Sequence, residues 1–125
     1  MCARSSRDKG AGGEEIAREY LKKKGYKVLD VNYHFGRAGE IDIIALDHDT
    51  VVFVEVKSAS GTLFGDPLSW IPFWKQQRII RVSQAYMSRH RLNGSPARFD
   101  VVAIDHKGRV DHVEDAFRPP DGVFV

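Results

Sequence analysis

One segment of the chain reads AGEIDIIALDHDTVVFVEVKS over residues 38–58, and it predicts the centre of the fold. Its two apolar runs, at 41–46 and 51–56, are rich in β-branched residues and flank a turn-forming sequence at 47–49. Strands that are apolar on both faces are typical of the middle of a covered sheet. We therefore predict an antiparallel hairpin with both faces buried.

Four charged residues interrupt these runs: Glu40, Asp42, Glu55 and Lys57. If residues 47–50 form the loop, counting back along the two strands places Asp42 opposite Glu55 and Glu40 opposite Lys57. Side chains directly opposed in this way have Cβ atoms roughly 5 Å apart. The pattern thus predicts two carboxylates side by side in an apolar sheet.

Such a pair is destabilising unless a cation lies between its members, because both groups carry the same charge away from water. Mg²⁺ or Mn²⁺ would resolve the conflict, since hard divalent cations prefer carboxylate oxygens and keep waters for a phosphate. A second interpretation stays open at this point. Glu40 and Lys57 could form a cross-strand ion pair on a solvated face, with Asp42 capping a turn.

The motifs GEIDIIA at 39–45 and VFVEVK at 52–57 resemble the YraN-like family of small bacterial proteins. Shorter matches lie at GEEIA (13–17), Asn32, Lys75 with Arg78, and RFDVV (98–102). The resemblance covers residues 10–117. It implies the PD-(D/E)xK nuclease core of type II restriction enzymes and archaeal Holliday-junction resolvases, which is an α/β three-layer fold with a central mixed sheet flanked by helices.

The same resemblance implies roles for the charged residues. Asp42 and Glu55 would be the metal ligands, helped by Glu14 from the first helix. Lys57 would orient the attacking water and stabilise charge on the phosphate, and Glu40 would support Lys57 or the metal.

Basic residues near this site would contact the nucleic acid. Lys75 and Arg78 lie one turn apart on a predicted helix at 73–90, and Arg37 lies in the loop before the hairpin. A solvated helix face is the alternative for these charges. The family usually has a basic residue where this chain has Ala59, so one expected phosphate contact is missing.

An aromatic segment at 70–74, WIPFW, is unusual for the family. Its rings could stack on the bases of a single strand, pack against the sheet, or be buried in a homodimer. We favour packing, because aromatic side chains form cores more often than binding surfaces.

The remaining elements are predicted from periodicity and turn residues. We expect a helix at 13–24, a strand at 26–33, a strand at 98–104 and an edge strand at 110–113. Asp100 is expected to pair with Arg98 or another base and is not assigned to the metal.

Composition sets the broad class. A chain of 125 residues suits one domain, which we place at residues 13–117 between a flexible basic tail (1–12) and an irregular tail (118–125). The net charge of +2 means that any nucleic-acid binding must come from a local patch. One cysteine and no apolar run of membrane-spanning length predict a cytoplasmic protein with no membrane partner.

The charged residues and the resemblance together predict a metal-dependent nuclease. The resemblance implies DNA as its substrate, with branched and single-stranded DNA as the candidates. Two alternatives remain. One is a nucleic-acid-binding module of nuclease fold that does not cleave. The other is a protein-interaction module that uses the 70–74 surface.

Overall fold

The computed structural model describes residues 5–58 and 70–119, with residues 5–12 as backbone only. The elements in chain order are α1 (Ser5–Lys23), β1 (Lys27–Phe35), β2 (Gly39–Asp47), β3 (Thr50–Ser58), α2 (Phe73–Arg89), β4 (Ala97–Ile104) and β5 (Val110–Phe117). This order is the predicted one. The last strand continues to Phe117, beyond its predicted end at Val113.

The five strands form one mixed sheet in the order β1-β2-β3-β4-β5. The first three strands are antiparallel neighbours, β3 and β4 are parallel, and β4 and β5 are antiparallel. Helix α2 lies between the two parallel strands in the chain, as a crossover connection requires. The predicted α/β three-layer fold with a central mixed sheet is confirmed.

Both faces of the sheet are buried, which explains the continuous apolar runs of the central hairpin. Val51 and Phe53 pack on the side of α2, whereas Val52 and Val54 pack on the side of α1. All four are at most 1% exposed. Full burial of such a side chain stabilises the fold by about 1.5–3 kcal/mol, so this strand anchors both layers.

Helix α1 begins at Ser5, so residues 5–12 of the predicted tail are helical. The sequence did not indicate this, because glycines and the lack of an apolar repeat disfavour a helix there. Gly13 lets the helix approach the sheet closely: a Cβ at this position would lie 2.8 Å from Ser58 Oγ. Glu14 is thereby held near the end of β3. Residues 1–4 lie outside the described residues.

The hairpin of β2 and β3 follows the predicted register from its turn as far as Ile43, which lies opposite Val54. Beyond that point, Oδ2 of Asp42 accepts a hydrogen bond from the backbone N–H of Val56 at 2.8 Å. The carboxylate therefore enters the space between the two strands, where the main-chain ladder would otherwise continue.

The alternation of side chains along β2 changes at the same place. Ile44 and Ile41 both pack in the core on the α2 side, while Ile43 packs in the core on the α1 side. A regular strand would put Ile41 with Ile43. The irregularity at Asp42 is what turns its carboxylate into the plane of the sheet.

The prediction that these charged residues pair directly across the β2–β3 ladder is therefore wrong. Neither Asp42 opposite Glu55 nor Glu40 opposite Lys57 is among the Cα pairs of β2 with β3. A one-residue disturbance is enough to remove such pairs, because it changes which side chains face each other.

The aromatic segment divides between the core and the surface. Trp70 packs against the core on the α2 side and Ile71 is 1% exposed, so packing is confirmed for this half. Phe73 and Trp74 are 71% and 60% exposed, so packing is wrong for them. Helix α2 begins at Phe73, directly after Pro72, as predicted.

Two further predictions concern regions that the structure covers only in part. The loop predicted at 58–69 lies outside the described residues except for Ser58, and so does the C-terminal tail from residue 120 onward. Among the described residues, no helix is both long enough and apolar enough to cross a membrane.

Candidate active site

A cleft of about 490 Å³ opens where β2 and β3 separate, beneath the start of α2. Its walls come from the β1–β2 loop, the two separating strands and the first two turns of α2. Most of the side chains that line it are charged or polar. The lining residues are His34, Gly36, Arg37, Gly39, Glu40, Asp42, Glu55, Trp74, Lys75, Arg78 and Ile79.

Three carboxylates converge beside this cleft, and two of them, Glu40 and Asp42, line it. Glu14 from α1 and Glu40 and Asp42 from β2 each offer an oxygen, and these oxygens all lie within 4.8 Å of one another. Hard oxygen ligands in a group of this size are what Mg²⁺ and Mn²⁺ prefer. The structure thus brings together two of the three predicted metal ligands, Glu14 and Asp42, and adds Glu40 to them.

The charge of this acidic cluster is costly to the protein. Burial raises the pKa of Glu14, and the neighbouring Asp42 carboxylate raises it further. A hydrogen bond from the Asn32 side chain opposes this shift. Asn32 has a left-handed backbone, with φ of 50°. That conformation is uncommon outside glycine, although asparagine tolerates it well.

Glu55 lies next to the cluster and is 6% exposed. Burial, and then the nearby Asp42 carboxylate, raise the pKa of Glu55 to about 7. Burial likewise raises the pKa of Asp42, although the hydrogen bond from Val56 acts in the opposite direction. The predicted closeness of Asp42 and Glu55 is therefore present, through side chains that meet beside the ladder.

Lys75 supplies the positive charge closest to these acids. Its ammonium nitrogen lies 2.5 Å from Oε2 of Glu55. Burial alone would lower the pKa of Lys75, but the hydrogen bond to Glu55 and the negative charges of Glu55, Asp42 and Glu40 together raise it. The sequence predicted a phosphate contact for Lys75, and the structure places it on a metal-ligand candidate instead.

Lys57 is the residue to which the sequence assigned the attacking water. It lies on β3 two residues after Glu55 and is half-buried. It is not among the described residues that line the cleft. Its role with the attacking water stays a prediction.

Arg78 fixes the rim of the cleft. Its Nε–H donates to the carbonyl of Ala38 at 3.1 Å, and its Nη2 donates to the carbonyl of Arg37 at 3.3 Å. Gly39 permits this contact, because a Cβ there would lie 3.4 Å from Arg78 Nε and its φ is 134°. Both predicted arginines thus reach the cleft, with Arg78 also bracing the loop that carries Arg37.

Three residues near the acids were not among those that the sequence predicted for the site. His34 Nε2 lies 3.2 Å from Glu40 Oε1, and the two residues are opposed in the β1–β2 ladder. Counting the register of that first hairpin could have found this pair. The hydrogen bond of Asn32 to Glu14 had no such signal, and Trp74 was assigned to packing.

A second buried acid lies on the other face of the sheet, away from the cleft. Asp100 is 0% exposed, and Arg98 donates to both of its oxygens at 2.9 and 3.1 Å. His112 Nε2 and the backbone N–H of Asp115 complete its contacts at 2.8 and 3.0 Å. These hydrogen bonds hold the pKa of Asp100 below its usual value against the effect of burial. The predicted pairing with Arg98 is confirmed.

Comparisons with known proteins identify the family of this chain. The family described as "Uncharacterised protein family UPF0102" matches residues 13–104. A UPF0102 protein of Alkaliphilus oremlandii is 48% identical over 86% of this chain and 96% of its own length. One from Clostridioides difficile is 42% identical over 90% and 99%.

Among solved structures, Pyrococcus furiosus SfsA in complex with Ca²⁺ matches 87% of this chain at 17% identity and a TM-score of 0.35. The match spans 63% of the SfsA chain, which is less than two thirds of its length. The family match extends over most of this chain, and it confirms the resemblance that the motifs indicated. The protein belongs to the UPF0102 family.

Proposed function

We propose that this protein hydrolyses phosphodiester bonds of DNA with the help of Mg²⁺ or Mn²⁺. The observation that carries the proposal is the group of converging carboxylate oxygens from Glu14, Glu40 and Asp42, of which Glu40 and Asp42 line a cleft with a cationic rim. A phosphate entering this cleft would pass the arginines first and meet the acids last.

The donor set fits a hard divalent cation. The three oxygens come from α1 and β2, so the fold itself holds them within 4.8 Å of one another. When bound, such an ion would act as a Lewis acid on the phosphate and lower the pKa of a bound water.

The protein's own side chains would position the acid, accept a proton and stabilise the developing charge. The hydrogen bond from Val56 fixes one oxygen of Asp42, and the side chain lines the cleft. Glu55 has a pKa near neutrality, so its carboxylate could take up a proton from a water beside it. Lys57 would stabilise the charge that develops on the phosphate.

The rim residues would hold the substrate. Arg37 and Arg78 are exposed at the mouth of the cleft, where their guanidinium groups can bind phosphate oxygens. Such contacts position the backbone without reading its sequence. The net charge of +2 concentrates any attraction for DNA at local patches of this kind.

The ion pair of Lys75 with Glu55 favours a second candidate, a nucleic-acid-binding module that does not cleave. In that protein the ammonium group would replace the cation beside Glu55 permanently. The two candidates differ in whether Asp42 is needed for a chemical step.

A cleavage assay separates them. Single-stranded, duplex and branched DNA are incubated with Mg²⁺ or Mn²⁺ and with wild type, Asp42→Ala, or Glu15→Ala as a matched control. Glu15 is exposed on the same helix as Glu14 and lies outside the acidic cluster. We expect Asp42→Ala to lower the rate by roughly 100-fold or more and Glu15→Ala to leave it unchanged.

Equal cleavage by wild type and Asp42→Ala would reject the proposed chemistry. Binding to DNA without cleavage under any of these conditions would favour the second candidate.

A further inference from the structure

We propose that Trp74 is a stacking platform for an unpaired base at the mouth of the cleft. Resting on the proposed function, this assigns the substrate class as nucleic acid that presents a single-stranded nucleotide near the cleaved phosphate. Flaps, branch points, ends and free single strands belong to this class.

Trp74 has the position that such a platform needs. It lies in the first turn of α2, lines the cleft that contains Asp42 and Glu55, and remains 60% exposed. A large aromatic ring normally loses most of its contact with water on folding. Here the fold leaves the ring at the entrance to the acidic cluster, where an incoming ligand would cover it.

The charges around the ring favour a nucleotide over an apolar partner. The guanidinium of Arg78 lies 5.9 Å from the centre of the Trp74 ring, a cation–π distance. Arg78 is itself held by the carbonyls of Ala38 and Arg37. One nucleotide could thus place its base on Trp74 and its phosphate on the arginines.

The neighbouring Phe73 helps to distinguish a nucleotide ligand from a protein partner. Phe73 is 71% exposed, more than Trp74, yet it is not among the described residues that line the cleft. A protein partner covering the start of α2 would use both rings. A nucleotide bound in the cleft would use Trp74 and leave Phe73 in water.

Stacking on a side chain also limits the form of the substrate. In the interior of a duplex, each base already has neighbours on both of its faces, so no face is free for a protein ring. A single-stranded base can be splayed out and stacked on an aromatic side chain. The platform therefore discriminates by strandedness and tolerates different base sequences.

The experiment measures binding with cleavage disabled by Asp42→Ala in every protein used. Fluorescence anisotropy gives the Kd for a labelled single strand, a branched DNA and a blunt duplex, with Trp74→Ala or Phe73→Ala added. We expect Trp74→Ala to weaken binding of the single strand and the branch by roughly 5- to 100-fold. Duplex binding should change less than two-fold, and Phe73→Ala should change neither by more than two-fold.

A second readout locates the base. An abasic site is moved along the single strand one nucleotide at a time. At one position the abasic site should weaken binding as much as Trp74→Ala does. The abasic site and Trp74→Ala combined should then raise the Kd no more than either change alone. Trp70 and Trp74 are the two tryptophans of the chain. In a Trp70→Phe background the single strand should therefore quench the fluorescence of Trp74.

Several results would overturn the inference. One is an equal loss of affinity for duplex and single strand in Trp74→Ala. Another is an equal loss of affinity in Phe73→Ala and Trp74→Ala. A third is an abasic site whose effect on the Kd adds to that of Trp74→Ala at every position. A concentration-dependent dimer that Trp74→Ala dissociates would also overturn it, because the ring would then be covered by a second copy.

The inference and the proposed function fail in different ways. Trp74-dependent binding of single strands by a protein that never cleaves would support the platform and reject the nuclease. Cleavage that needs Asp42, but keeps the same single-strand to duplex ratio in Trp74→Ala, would support the nuclease and reject the platform.

Discussion

Glu55 and Asp100 are buried acids on adjacent parallel strands, and they are nearly level with each other in the sheet. Glu55 on β3 lies opposite Val101, the residue after Asp100 on β4. They are 6% and 0% exposed, yet their pKa values shift in opposite directions. The difference lies in what each carboxylate contacts.

Asp100 faces donors only. Arg98, His112 and the N–H of Asp115 surround it, so its charge is compensated on all sides. Burial of a charge in such surroundings stabilises the fold when the geometry is good, and breaking the arrangement is costly. This is the pattern of a structural acid.

Glu55 faces another acid. The Asp42 carboxylate raises its pKa, and Lys75 is the one ion-pair partner among its described contacts. Burial alone therefore does not mark a functional acid in this protein. Burial beside a like charge is what makes Glu55 the candidate functional acid, because the repulsion from Asp42 opposes folding.

The largest contrast is expected in stability. Asp100→Asn should lower the free energy of unfolding by about 3–5 kcal/mol, because Arg98 would lose its buried charge partner and keep only Asp47, at 3.2 Å. Asp42→Asn should leave stability unchanged or raise it by up to about 1 kcal/mol, since it removes repulsion and keeps an oxygen for Val56. Urea unfolding in metal-free buffer measures both.

If Asp42→Asn proved as destabilising as Asp100→Asn, the two acids would be equivalent and the distinction between them would be lost.

The pH dependence should also differ between the two acids. The folded protein lowers the pKa of Asp100, so its stabilising effect is complete above the unfolded value near 3.8 and is lost as pH falls through the lower folded value. The folded protein raises the pKa of Glu55 from 4.5 to about 7. Between these values the folded state binds the extra proton, so stability should fall as pH rises.

Urea unfolding from pH 4.5 to 8 checks this second trend, with Glu55→Gln as the variant that should lack it. Saturating Mg²⁺ should also suppress the trend in wild type. A decline of the same size in Glu55→Gln would show that another group causes it.

A smaller effect is expected at the edge of the acidic cluster. Glu14→Gln removes one of three converging carboxylates, so it should weaken Mn²⁺ binding by roughly ten-fold. Glu15→Gln changes the charge of the same helix by the same amount at an exposed position and should have no effect. Equal weakening by both would mean that Mn²⁺ responds to the total charge of α1, without a defined ligand at Glu14.

The sequence predicted the fold well, because its signals were local and strong. The β-branched runs around the turn at 47–49 fixed the central hairpin, and Pro72 marked the start of α2. The early start of α1 could not be predicted, since residues 5–12 contain glycines and no apolar repeat. The helix there extends one whose later turns pack on the sheet through Ala17 and Leu21.

The candidate site was predicted less completely. The motif indicated Asp42 and Glu55, and the structure brings both to the cleft. It does so through an irregularity at Asp42 that alternation along a strand cannot reveal. The ion pair of Lys75 with Glu55 depends on how α2 docks on the sheet, which is a tertiary property that helical periodicity leaves undetermined.

The most direct test of the account is a calorimetric titration of metal-free protein with Mn²⁺. We predict saturable binding to wild type and to Glu15→Gln, and binding at least ten-fold weaker to Asp42→Asn, because Asp42 lies in the acidic cluster and faces Glu55. Saturable binding of equal strength to Asp42→Asn, or no saturable binding to wild type, would contradict the claim that these buried acids exist to hold a cation.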